Sequence, residues 1–332
     1  MRAFSNLTLS ATWTRLAFLF LLNPFCATTV FAQTHRDEFG IQTDNDSYLL
    51  NGLDNYYTNG LFLHYNHALP VKSPDSTSLQ NKILGFELGQ KIFNPQSGAI
   101  PSPIYVDRPF AGYLYVASTL NLLFRNESNI KLSAQLGIVG PSSLAGLAQT
   151  WLHQTSGLYK IQGWQYQIKN DPELNLSAAY NKLLARGTIA DISLSTYANL
   201  GTGFTGAGAG PLIRIGNFNQ LFNSASTQST VIVHNQVAPL HISEFFFYYK
   251  PQVNLVAYDA TIQGGLFESH NDVNSSEVTG KPEPVVFSQQ FGLVYTANHW
   301  VYDLSAIFHT KDTKEMLNSH QWGSVMVAYR FH

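Results

Sequence analysis

From residue 37 onward the dominant period of the chain is two. Ile130, Leu132, Ala134, Leu136 and Ile138 alternate with Lys131, Ser133, Gln135 and Gly137. Leu174, Leu176, Ala178 and Tyr180 alternate with Asn175, Ser177 and Asn181, and Tyr302, Leu304, Ala306 and Phe308 with Asp303, Ser305 and His309. Ile192, Leu194, Ala198 and Leu200 do the same against Asp191, Ser193, Ser195 and Asn199. Successive side chains of a strand point to opposite faces, so this period sets an apolar face against a polar one. About twelve such segments are predicted, near 37–47, 56–69, 82–93, 112–124, 130–139, 174–184, 187–200, 206–216, 244–259, 286–297, 300–310 and 320–331.

An even number of antiparallel strands suits a closed bacterial barrel, and closure pairs every backbone group in lipid, where an open edge finds no water. The expected fold is therefore all-β, a closed antiparallel transmembrane β-barrel of about twelve strands over residues 33–332. The last segment ends Tyr329-Arg330-Phe331-His332, with an aromatic close to the C-terminus as outer-membrane barrels commonly have. Pro251 cannot donate to a ladder and predicts a bulge in the 244–259 strand. A soluble β-sandwich also alternates, but charged residues are only 12% of this chain, about half the usual share of a soluble protein.

One segment breaks the period. Residues 142–158 carry the spacing of a short helix, with Ser142 or Ser143 as cap and Gly157 as stop. Gln149 and His153 are four apart and share a face of it. Ahead of the strands, Arg2 and Arg15 flank the apolar run Leu16–Leu22, and Val30-Phe31-Ala32 fits a cleavage site. Residues 1–32 therefore read as a secretory signal peptide, since seven apolar residues cannot span a bilayer. The single cysteine, Cys26, falls inside it, leaving a mature chain without disulfides. Removing Arg2 and Arg15, the only charged residues of 1–32, takes the net charge from −2 to −4. No basic stripe points to nucleic acid.

Several spaced motifs occur in order. They are Asp44-Asn45-Asp46, Tyr56-Tyr57-Thr58-Asn59-Gly60-Leu61 and Asp107-Arg108-Pro109-Phe110-Ala111-Gly112-Tyr113. Gly137-Ile138-Val139-Gly140-Pro141 follows, with Gln149, His153, Gly163-Trp164 and Gln167, and then Thr310-Lys311 and Gln321-Trp322-Gly323-Ser324. In this order and over nearly the whole mature chain the pattern resembles the lipid A 3′-O-deacylase (LpxR) family. That resemblance implies a twelve-stranded barrel of the bacterial outer membrane that uses calcium to remove an acyloxyacyl group from lipid A. It places the functional positions on Asn45, Asp46, Thr58, Gln149 and His153, with His153 as general base and Asp46 as calcium ligand. The expected partner is lipid A or a related acyl lipid, and the expected state a monomer.

The chemistry of these residue types agrees. A neutral imidazole can take a proton from water near neutral pH. Calcium takes carboxylate, amide and carbonyl oxygens and can steady an oxyanion. Two departures stand out. Tyr159 occupies the position where the family has a glutamate, so a metal contact falls to Asp171, Glu173 or water. Residues 95–106 contain no Lys or Arg to meet lipid A phosphates. Two other functions remain open: a non-catalytic pore or adhesin, and a Ser-His esterase using His241 and Ser243, which share one face if they lie on a strand. His64, His67 and His309 are expected to line a polar lumen.

Overall fold

The computed structural model describes residues 35–49, 54–71, 78–234, 237–267 and 275–332, so the expected signal peptide at 1–32 lies outside the described residues. Twelve strands follow one another: β1 (Asp37–Asn45), β2 (Tyr57–Ala68), β3 (Leu79–Phe93), β4 (Ala111–Phe124), β5 (Ser128–Val139), β6 (Asp171–Arg186), β7 (Ala190–Gly201), β8 (Phe204–Asn217), β9 (Glu244–Asp259), β10 (Val285–Ala297), β11 (Trp300–His309) and β12 (His320–Phe331). Each pairs antiparallel with its sequence neighbour, and β1 closes the ring on β12. Asp37 is paired with both His67 and Phe331, and the Arg36 amide donates to the His332 carbonyl at 2.8 Å. Among the described residues no helix is long and apolar enough to cross a membrane. The strands do the crossing.

The alternation resolves into two faces. Phe39, Ile41, Leu132, Leu136, Leu174, Leu176, Leu255 and Leu304 are exposed on the outside. Glu38, His64, Glu87, Lys131 and Asp303 line an interior cavity of about 340 Å³. Apolar side chains outside and polar ones inside is the inverse of a soluble sandwich and the arrangement lipid requires.

The end that carries both termini has tight turns at 125–127, 187–189 and 298–299. There the segment after β8 folds back across the lumen. The Asn121 Nδ2 donates to the Thr227 carbonyl at 2.8 Å, and the Asn81 Nδ2 to the Val231 carbonyl at 2.8 Å. Arg214, fully buried, forks onto Asp191 at 2.9 and 2.6 Å and donates to Ser224 and Ser226 at 2.8 and 2.9 Å. A desolvated guanidinium is tolerable only when its donors are met in this way. The opposite rim carries the connections 46–56, 94–110, 140–170, 260–284 and 310–319, and the short turn 202–203.

Two local expectations are corrected. Pro251 makes no bulge: it sits in register opposite Gln289, and the β8–β9 register is the same on both sides of it, from Ala209–Val253 to Ile213–Tyr249. Pro211 lies across from it, so two residues without amide donors face each other and the ladder simply lapses. The helix, α1, runs Ala145–Ser156 rather than 142–158. Its N-cap is Leu144 at φ 61, with no side-chain cap, because Ser142 and Ser143 belong to a preceding 3-10 turn, Pro141–Ser143. Gly157 ends it at φ 67, as expected.

The outward face gives a direct test. Leu132→Arg places a charge in lipid and is expected to lower stability by about 2–4 kcal/mol if it lies near the midplane. The urea midpoint of the barrel refolded into vesicles measures it, and an unchanged midpoint would contradict the assignment of faces.

Candidate active site

The strand parity that sends Phe86, Leu88 and Val116 outward also turns Gln90 and Gly112 outward, at the far rim. Gln90 donates to the Ser143 carbonyl at 2.6 Å. A Cβ on Gly112 would meet Ser143 Oγ at 2.0 Å and Ala145 Cβ at 2.2 Å. Glycine there lets α1 lie directly against the outside of the barrel wall. The opposite side of the helix is apolar and exposed, through Leu144, Leu147 and Trp151. Its inner side buries Gln149 and His153.

These two meet a residue that the sequence motifs do not single out. His153 Nε2 lies 3.0 Å from Asp54 Oδ2, and Gln149 Nε2 donates to both Asp54 oxygens at 3.3 Å. The Tyr159 hydroxyl donates to Asp54 Oδ2 at 2.5 Å and Asn94 Nδ2 to Oδ1 at 3.3 Å. Trp164 Nε1 donates to Gln149 Oε1 at 2.9 Å, which turns the amide so that its NH₂ faces the carboxylate. The hydrogen bonds of Gln149 thus run to Asp54 and Trp164. The other imidazole nitrogen, Nδ1, lies 3.1 Å from the Tyr159 carbonyl oxygen, an acceptor that fixes a hydrogen on Nδ1. The Tyr159 ring packs edge-on to the imidazole at 4.8 Å.

Asp46 opens the 3-10 turn that follows β1, and its Oδ2 accepts the Asn55 amide at 2.9 Å, tying it to the segment that carries Asp54. Burial first, and the Asp54 charge second, push the Asp46 carboxyl up to about 8. The Tyr159 phenol is likewise pushed up, by burial and then by Asp54, which keeps it a neutral donor. Asn45 and Thr58 are held in a separate chain. Asn45 donates to Asn59 at 2.6 Å and accepts the Ser47 amide at 2.8 Å, and Asn59 donates to Thr58 at 3.2 Å. Thr58 is the extra residue of a β-bulge between Tyr57 and Asn59. The hydrogen bonds of Asn45 and Thr58 therefore run to Asn59 and Ser47 rather than to His153.

The loops are locked by Tyr56. It sits fully buried at φ 59, a left-handed conformation costing about 1–3 kcal/mol for such a residue. Its amide and carbonyl bond Pro95 and Asn94, and its hydroxyl donates to Asp107 at 2.8 Å. Asp107 also takes the Gln96 and Leu317 amides, so this motif residue joins three rim segments. Asp171 and Glu173, the expected substitutes for the family glutamate, interact with each other instead, with Glu173 accepting from Thr202 at 2.5 Å. The space beside Asp54 is filled by Tyr159. His241 and Ser243 precede β9 at the end bearing the termini, off any strand, and His241 is held by its amide on Asn219 at 2.7 Å. A further cluster, His309, Asp312 and His320, closes the β11–β12 hairpin at the far rim, with ligand atoms within 4.8 Å of one another.

The donors about Asp54 suit a hard cation. Asp46 and Asp54 bring two carboxylates together in a buried setting. Asn94, wholly buried, has an Oδ1 with no hydrogen-bond partner. Two crowded carboxylates are oxygen-rich and electron-rich, as calcium requires, although the Asn94 amide turns its NH₂ and not this oxygen toward Asp54.

A closed barrel with lipid-facing strands defines an outer-membrane protein, here with a His-Asp constellation at one rim. The family model for "Outer membrane protein LpxR" matches residues 15–331, and the chain belongs to that family of lipid A-modifying outer-membrane proteins. The fold is similar to that of LpxR from Salmonella typhimurium, with a TM-score of 0.71 at 20% identity over 89% of this chain and 100% of that one. The β domain of the Bordetella autotransporter BrkA aligns with a TM-score of 0.48 at 8% identity, over 90% and 99% of the two chains. No curated protein sequence matches.

The raised Asp46 fixes the sign of a stability effect. The folded state holds its proton more tightly than the unfolded chain, where an Asp carboxyl titrates near ~3.9. The metal-free barrel should therefore lose stability as pH rises from about 4 through about 8, by up to about 1.4 kcal/mol per pH unit. Asp46→Asn is expected to flatten that slope and to leave the metal-free protein more stable at pH 8, read from urea midpoints across the range. A mutant less stable than the wild type at every pH would show that Asp46 serves the fold.

Proposed function

We propose that this protein hydrolyses an ester-linked acyl or acyloxyacyl group of lipid A, with His153 as general base. The observation that carries the reading is the contact of 3.0 Å between His153 Nε2 and Asp54 on the lipid side of the wall. Water must meet a base there, beneath the apolar ridge of Leu144, Leu147 and Trp151, which suits an acyl chain entering from the bilayer.

The Tyr159 carbonyl holds the Nδ1 hydrogen, so Nε2 is the nitrogen that would take the proton from water as its oxygen adds to the ester carbonyl, with that water displacing Asp54 Oδ2 from its place 3.0 Å away. Asp54 faces the imidazolium that forms and stabilises its charge. When the tetrahedral centre collapses, Nε2 returns the proton to the departing sugar oxygen, leaving a free acid and an alcohol. Asp46 and Asp54 would hold calcium, which would supply a Lewis acid for the carbonyl oxygen. Gln149 and Tyr159 hold Asp54 by hydrogen bonds, and Trp164 keeps Gln149 in place. Asn45 and Thr58 shape the strand ends from which Asp46 emerges. Tyr159 in the glutamate position replaces a negative charge by a neutral donor, so this site draws on Asp54 where its relatives have a further carboxylate.

Mass spectrometry of lipid A from cells expressing the wild type should show loss of an acyl or acyloxyacyl mass that disappears with a calcium chelator. His153→Ala should reduce it by about 10²–10⁴-fold with the barrel still folded. Full activity in that variant would sink the proposal. Tyr159→Phe removes one hydrogen bond to a charged group, about 1.5 kcal/mol, and should slow the reaction roughly tenfold. A rate unchanged in Tyr159→Phe would separate Tyr159 from the positioning of Asp54.

A further inference from the structure

We propose that His309, Asp312 and His320 form a binding site for a borderline divalent transition ion, zinc above all, separate from the hydrolytic centre. The register of the β11–β12 hairpin pairs His309 with His320, which puts two imidazoles on one face at the strand ends. The connecting segment brings Asp312 back between them. Its Oδ1 lies 3.4 Å from His309 Nδ1 and its Oδ2 3.1 Å from His320 Nε2. Zinc bonds nitrogen and oxygen at about 2.0–2.1 Å in a tetrahedron, whose edges are then about 3.4 Å. Each imidazole already stands at about that distance from one oxygen of the shared carboxylate, and one ligand atom from each residue lies within 4.8 Å of the others.

The second observation is His320 itself. It is 5% exposed; its Nε2 faces Asp312, and its Nδ1 has no hydrogen-bond partner. A buried imidazole whose one partner is a carboxylate shared with a second imidazole is better satisfied with a metal ion among the three. The rings are braced by Trp322, centred 4.9 Å from His309 and 5.3 Å from His320, and by Tyr56 at 5.8 Å from His320. The three residues also line a cavity of about 590 Å³ in the barrel mouth, which leaves a fourth position open to water or an anion.

Arg108 is a competing cation, with Nε 3.8 Å from Asp312 Oδ2, an ion pair beyond hydrogen-bonding distance. It donates instead to Thr261 at 3.1 Å and to the Pro109 carbonyl at 3.2 Å, and Asp107 and Asp259 lie close enough to offset its charge. Two imidazoles and one carboxylate select zinc, nickel or copper over calcium, the reverse of the all-oxygen set at Asp46 and Asp54. The ion would fasten the 310–319 segment, where Thr313 and Leu317 bond Asp107 and Asn318 bonds Tyr56. It would stiffen the rim beside the hydrolytic centre without touching substrate.

The test uses the full barrel in detergent, stripped with chelator and titrated with Co²⁺ alone. One equivalent should produce visible d–d absorption, displaced by zinc and not by excess calcium, and zinc should raise the unfolding temperature. His309→Gln and His320→Gln should each abolish the absorption, and His153→Ala should keep it, with the gel shift between folded and heated forms confirming that each variant is folded. His309 is half-buried, so its variant stays informative even where His320→Gln fails to fold. No absorption in the wild type, a signal that survives in folded His309→Gln, or one lost in His153→Ala instead would overturn the proposal. The readout is binding, so its failure leaves the deacylase reading standing.

Discussion

A backbone that crosses lipid has no water to satisfy its amides and carbonyls, and that one constraint governs this molecule. The pairing of β1 with β12 answers it, because without that ladder both edge strands would carry orphan groups into the hydrocarbon. Closure then fixes much else. It forces the apolar half of each strand outward and the polar half into the lumen. It brings six connections together at one rim, although they are far apart in the chain. It also supplies a stiff outer wall on which α1 can lie, with Gly112 as the contact point.

The site built there is organised round one carboxylate. Asp54 receives Gln149, Asn94 and Tyr159 and faces His153. Neutral donors hold it, and they hold it beside Asp46, whose ionisation they do nothing to ease. The result is a pocket of crowded negative charge that is poor for folding and well suited to a cation. Tyr159 fits this logic, since a phenol stabilises the existing charge where a third carboxylate would add to it.

The strands were legible because lipid outside and water inside impose a period of two on every segment, and all twelve fall close to where the alternation predicts. Local detail was less so. Ser142 and Ser143 have the chemistry of caps, yet Gly140 and Pro141 start a 3-10 turn that uses them up before α1 begins. Pro251 reads as a bulge until Pro211 is found opposite. Asp54 links His153, Gln149 and Asp46, whereas the hydrogen bonds of Asn45 and Thr58 run to Asn59 and Ser47. Asp54 was hidden for a physical reason. It stands in Asn51-Gly52-Leu53-Asp54-Asn55, a composition indistinguishable from an ordinary turn. Its partner Gln149 is 95 residues away, a separation no local pattern reports. An acid next to the Tyr56-Tyr57-Thr58 motif was the available clue.

That same separation bears on the life history of the protein. Asp46, Asp54, Asn94, Gln149, His153 and Trp164 come from three connections, those between β1 and β2, β3 and β4, and β5 and β6. Each of these connections is set by the strands that flank it, so the unfolded chain holds the residues without their grouping, and the constellation exists only where the first half of the ring has paired.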